Sequence, residues 1–172
     1  MKIFKMVVDS LLFVVTFLLV NMNITGHLIH EILGITMAIL LLIHIVTNWK
    51  WVKNVTKNIK RVNKKTKLMY VVNLLTMIVY LGAIIFGIII SHELFKFETS
   101  SNYKFVITHI IFGRLAIVVM FIHVGMHLDR MFVKVKNKII LYIIYIIIAF
   151  LISSYSIYTL THCFQWLMVF GR

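Results

Sequence analysis

The 172-residue chain contains no proline, a single cysteine and only five acidic residues. With no proline, its long apolar stretches lack the residue that most sharply kinks or ends a helix. One thiol, Cys163, excludes an internal disulfide. Glycine is also sparse, and no Gly-rich turn of the nucleotide-cradling kind occurs, so nothing suggests that the chain itself binds NAD or FAD. No polar stretch is long enough for an extramembrane domain; the longest run over about 49–67 and 92–104.

What fills the chain instead is hydrocarbon: 62% of residues are hydrophobic and the mean hydropathy is +1.00. That is too apolar for a soluble domain of this size and marks an integral membrane protein. Five apolar spans cover about 6–23, 28–49, 68–91, 105–128 and 139–160, each near the ~20 residues a helix needs to cross a bilayer. The fold class expected is an all-α membrane protein of five transmembrane helices.

The net charge of +13 would suggest nucleic acid as a partner in a soluble protein, but its distribution fits a membrane and excludes that reading. With a cytoplasmic N-terminus, Lys2, Lys5, the eight basic residues of 50–67, Arg130, Lys134, Lys136 and Lys138 all fall inside, fourteen of the eighteen. Lys96, Lys104 and Arg172 fall outside, which is the asymmetry of the positive-inside rule, and the C-terminus then faces outward. The first span has the basic start of a signal peptide but no small-residue cleavage site, so it reads as the first membrane helix. In the basic loop, Val52, Val55, Ile59 and Val62 recur every three or four residues among lysines, which predicts a helix lying on anionic lipid. Trp49, Trp51 and Trp166 mark span ends.

One histidine pattern is written twice, His30-x3-Gly34-x9-His44 and His109-x3-Gly113-x9-His123, offset by 79 residues. Fourteen residues of α-helix turn through about 1400°, close to four full turns, and rise roughly 21 Å. Each copy therefore puts two imidazoles on one face at opposite depths. Imidazoles are costly in hydrocarbon and mark a functional path or a cofactor. The second and fourth spans are separated by one span and run parallel, so His30 meets His109 near the outer surface and His44 meets His123 near the inner one.

Two haem groups, each with one axial histidine from either span, suit a bundle that holds cofactors in its core. Without a Cys-x-x-Cys-His run the haem is b-type. Iron with both axial positions filled by protein favours electron transfer over oxygen chemistry. The two irons are then roughly 20 Å apart by helix rise. On this reading a four-helix haem-binding bundle is built from two helix-pair repeats, about 6–49 and 68–128, with a fifth helix at about 139–160 covering it. That fifth span has no histidine, and its Tyr142, Tyr145, Tyr155 and Tyr158 read as packing or interfacial residues.

Gly34 and Gly113 each lie one turn beyond the outer histidine, where a missing side chain admits either a flat macrocycle or a close helix neighbour. Arg114 is the only cation well inside a span, and its guanidinium needs an anion: a haem propionate, Glu31, or the interface reached by snorkelling. His127, one turn below His123, is an alternative inner ligand or a partner for a propionate, a quinone or lipid headgroups. His27, His92 and His162 gather at the outer face as solvated interfacial histidines. A transporter of divalent metal or protons along His123, His127 and their neighbours remains a competing reading, as does an anchor subunit whose histidines only bond across helices.

His30-Glu31-x2-Gly34 with His44-x3-Asn48-Trp49-Lys50-Trp51, and His109-x3-Gly113-Arg114-Leu115 with His123-x3-His127-Leu128-Asp129-Arg130, resemble a family of small bacterial membrane proteins described as flavinylation-associated cytochromes. The resemblance spans roughly residues 5–160. It implies a di-haem cytochrome of a bacterial cytoplasmic membrane that passes electrons towards an extracytosolic flavoprotein. The ligand spacing is also similar to that of cytochrome b and transmembrane ferric reductases, which implies the axial role for His30, His44, His109 and His123. Ferric reductases carry a nucleotide-binding domain that this chain lacks. A quinol or a partner subunit is therefore the expected electron donor.

Overall fold

The structure, a computed structural model, describes residues 2–20, 22–97, 102–131 and 138–170. Lys134, Lys136 and Arg172 of the charge pattern lie outside the described residues, as do the side chains of Lys2, Arg130, Lys138, Cys163 and Trp166. The described residues form α1 (Lys2–Val20), α2 (Met22–Thr25), α3 (His27–Lys57), α4 (Lys64–Ile89), α5 (Tyr103–Met131) and α6 (Lys138–Phe170). All but the four-residue α2 are long and apolar enough to cross a membrane. The protein is an all-α, multi-pass membrane protein with five spans.

Helices are what hydrocarbon permits, because each satisfies its own backbone hydrogen bonds. Their outer faces are correspondingly greasy: Leu42 and Val46 on α3 and Phe150 on α6 are 64%, 69% and 70% exposed. Such surfaces suit acyl chains, and the buried core is small, formed by Val15, Met37, Val79, Tyr80, Ala116, Ile117, Val119, Met120 and Phe121.

α1 and α3 form an antiparallel hairpin through α2. Gly26 opens α3 with φ 76° and ψ 166°, a backbone region open essentially to glycine alone. Register is set by two rungs one turn apart on both helices: Lys5 Nζ donates to Asn48 Oδ1 at 3.0 Å, and Asp9 Oδ1 lies 2.7 Å from His44 Nδ1. α4 and α5 form a second hairpin, in close contact because Gly82 faces the Phe112 ring. Thr16 and Tyr80 join α1 to α4 through their hydroxyls, 2.9 Å apart. α6 lies against α5, where Ser156 donates to the Arg114 carbonyl and the Tyr145 hydroxyl to that of Phe121.

The basic stretch does not form a separate surface helix. α3 continues unbroken to Lys57, with nothing in 50–57 to stop it, and its 31 residues rise about 46 Å, well beyond the ~30 Å of hydrocarbon. Val55 is buried, and Thr56 bonds the Tyr70 hydroxyl at 3.0 Å, so this end is held against α4 rather than laid flat. The chain turns at 58–63, and Asn63 caps α4 by accepting from the Thr66 amide at 2.8 Å.

Candidate cofactor site: two histidine pairs

α3 and α5 make little close backbone contact among the described residues, and histidines reach across the space between them. The ring centroids of His30 and His109 are 6.0 Å apart, and those of His44 and His123 are 6.3 Å apart. All four residues named from spacing are thus brought together, in the expected pairs and at matched depth. Two imidazoles on opposite sides of one metal, with metal–nitrogen bonds of about 2.0 Å and roughly 1.1 Å from nitrogen to ring centre, have centroids roughly 6.2 Å apart. Edge-to-face ring contacts span the same range, so the ring nitrogens decide between the two.

In each pair one ring is anchored. His109 Nδ1 lies 2.9 Å from the Ala83 carbonyl oxygen on α4, which can only accept, so Nδ1 carries the proton and Nε2 presents a bare lone pair. His44 Nδ1 is held in the same way by Asp9 on α1. A carbonyl or carboxylate behind the imidazole is the usual support of a metal-ligating histidine. The opposing rings are less firmly held: His30 Nδ1 and His123 Nδ1 are buried without a well-formed hydrogen bond, although the Leu19 backbone on α1 lies close to the His30 ring.

Gly34 and Gly113 mark cleared space, because a Cβ built at either meets nothing within 4 Å. Close helix packing, the other role expected of them, falls instead to Gly82 and Gly87. A Cβ at Gly87 would lie 3.0 Å from His109 Cε1 and 3.2 Å from its Nδ1, so this glycine lets α4 bring the Ala83 carbonyl to the ring. Gly87→Ala is expected to displace His109 and cost about 1–3 kcal/mol through overpacking. A melting temperature lowered by Gly87→Ala and not by Gly113→Ala is the check.

Glu31 is not a partner for Arg114. Its carboxylate accepts from Ser91 Oγ at 2.7 Å and from the amides of His92, Glu93 and Leu94 at 2.8, 3.2 and 2.9 Å, clasping the loop that follows α4. Arg114 is half-buried in α5, and no carboxylate pairs with its guanidinium among the described residues. His123, rather than His127, faces His44, and the His127 ring lies 4.9 Å from that of His123. His27, His92 and His162 are exposed, as expected of interfacial residues.

Asp9, the Ala83 carbonyl and Gly87 are site components that spacing did not single out. Asp9 had a legible signal: Lys5 and Asp9 stand four apart on α1, as do His44 and Asn48 on α3, which suits two antiparallel rungs. Ala83 contributes a backbone atom and leaves no trace in residue identity. Between the two levels the core is apolar, with Met37 seven residues from both His30 and His44 and only 1% exposed, near Ala116 and Ile117 at 4% and 2%. Among the described residues no three His, Cys, Asp or Glu side chains converge as a metal-ion site. A porphyrin brings its own four equatorial nitrogens and asks two axial ligands of the protein, the number each level supplies. Comparison with known proteins finds no matching family model, no matching curated protein and no matching solved structure.

Proposed function

We propose that the protein is a b-type cytochrome holding two haem groups and carrying electrons across the membrane. One observation carries this reading: opposed imidazoles at two matched depths, each pair with one ring whose Nδ1 is backed by an acceptor. Bound haem supplies one-electron redox chemistry without proton transfer or bond making in a substrate. His30 with His109, and His44 with His123, would hold the two groups, one imidazole from each of α3 and α5 at each level, and would leave no open position for small molecules. Ala83 and Asp9 hold one ring of each pair in its tautomer; Gly34 and Gly113 would leave room for the edge of a bound group, and Arg114 would neutralise one of its carboxylates. His127 packs beside the inner ligand.

Residues 5–160 resemble the flavinylation-associated cytochromes. On that likeness the acceptor is an extracytosolic flavoprotein of a bacterial cytoplasmic membrane, and in the absence of a nucleotide-binding turn the donor is a quinol or a partner subunit. The protein is then an electron-transfer subunit rather than a complete enzyme.

Asp9, His44, His123 and His127 form a chain of contacts at the inner level and give the metal or proton transporter its best footing, although no three of them converge on one ion among the described residues. Against it stands the buried layer of Met37, Ala116 and Ile117 between the two levels, which would interrupt a polar path. Proteoliposomes loaded with an impermeant oxidant separate the readings. Quinol added outside should reduce the trapped oxidant only when the protein carries haem; metal uptake by haem-free vesicles, with no reduction of the trapped oxidant, would favour the transporter.

A further inference from the structure

We infer that Asp9 sets the electrochemical order of the two levels, making the His44–His123 level the harder to reduce, so that electrons run from it to the His30–His109 level. The inference rests on the cytochrome reading and adds to it an order of the two potentials and the residue that sets it. It starts from the acceptors that hold the two anchored histidines. His44 Nδ1 is held by a carboxylate at 2.7 Å, His109 Nδ1 by a neutral backbone carbonyl at 2.9 Å.

A carboxylate draws the Nδ1 proton further from the ring than a carbonyl does and gives the imidazole more anionic character. The opposite nitrogen becomes the stronger donor, which stabilises the more positive, oxidised state of a bound metal. The charge of Asp9 acts in the same direction through space.

Among the charged groups near the four rings Arg114 acts in the same sense as Asp9, while Glu31, Lys5 and, beyond the inner level, Lys50 and Lys53 oppose it without backing a histidine ring. Glu31 adjoins the outer level and its charge opposes this order through space, but its oxygens are held by Ser91 and the loop amides and, unlike Asp9, it backs neither outer histidine. Arg114 is five residues from His109 and nine from His123, so its positive charge favours reduction of the outer level more than the inner. Lys5 opposes Asp9 in part, but its ammonium bonds Asn48, one turn beyond His44, and does not act through a ligand. His127 adjoins His123 without backing the His44 ring. In the step itself the inner level gives up one electron and the outer level gains it, and no proton moves.

Asp9→Asn in the full-length protein tests this by optical redox titration, because the amide keeps an acceptor oxygen in place and removes the charge. Wild type should titrate in two steps. In the variant the lower step should rise by at least tenfold in its equilibrium constant, about 59 mV for a one-electron couple, with the upper step nearly unmoved and both haem groups retained. Unchanged steps, or movement of the upper one alone, would overturn the inference while leaving the cytochrome intact. Wild-type protein that binds no haem would remove the reading beneath it. Should Asp9→Asn hold a single haem, the near-infrared ligand-to-iron charge-transfer bands of oxidised wild type decide: two donor strengths are expected, and a single shared one overturns the proposal.

Discussion

Replacing His123 by leucine is expected to leave one haem per chain in place of two and to stop electron flow across the membrane. On the proposed reading the leucine removes one of the two inner ligands, and it leaves His44 facing an aliphatic group. The fold should survive, because the lost imidazole carries a buried Nδ1 with no partner, and taking away an unsatisfied polar atom relieves a desolvation cost. The His30–His109 pair lies a helix rise of roughly 21 Å away and keeps its own group. His44→Leu should have the same functional effect with a larger stability loss, since it strands the Asp9 carboxylate in an apolar span. Haem content of the purified variants is the measurement. Retention of both groups in His123→Leu, with loss in the His123→Leu, His127→Leu double variant, would move the ligand to His127. Retention in both would remove the inner site altogether.

The second large effect has opposite signs with and without the cofactor. A side chain at Gly34 or Gly113 enters open space, and an alanine there improves helix propensity by about 1 kcal/mol over glycine. Haem-free protein should therefore melt at the same or a higher temperature in Gly34→Ala and Gly113→Ala. Loaded protein should lose affinity at the outer level, and leucine at either position should bring haem content down towards one per chain. If these glycines serve helix packing alone, the leucine variants should lose stability with no selective loss of haem. If the cleared space is only lipid-facing, neither property should change.

Much of the scaffold was legible in the residues. Apolar runs bounded by lysines gave the spans, because helix rise and bilayer thickness allow few other lengths. The pairing of His30 with His109 and of His44 with His123 followed from one further step, that spans separated by a single span run parallel. Spacing along a helix says which face a residue occupies and nothing about the atom opposite, and the remainder of the site lay beyond it for that reason. The Ala83 carbonyl belongs to the backbone, and the role of Gly87 depends on how closely α4 approaches α5. Glu31 seemed a candidate for Arg114 by proximity in depth, yet a loop rich in free amides competes for a carboxylate more effectively than one guanidinium does. Of the periodic apolar residues in the basic stretch, Val52 and Val55 belong to α3 itself, extended two turns past the apolar layer because burial of Val55 favours continuing the helix, while Ile59 and Val62 lie in the turn that follows.

The most direct measurement is the reduced-minus-oxidised absorption spectrum of the purified protein together with its haem content. Two six-coordinate, low-spin b haems per chain, with the split red band of bis-histidine ligation, are the expected result. A folded, monodisperse preparation that stays colourless after haem is supplied would contradict the assignment of His30, His44, His109 and His123 as ligands.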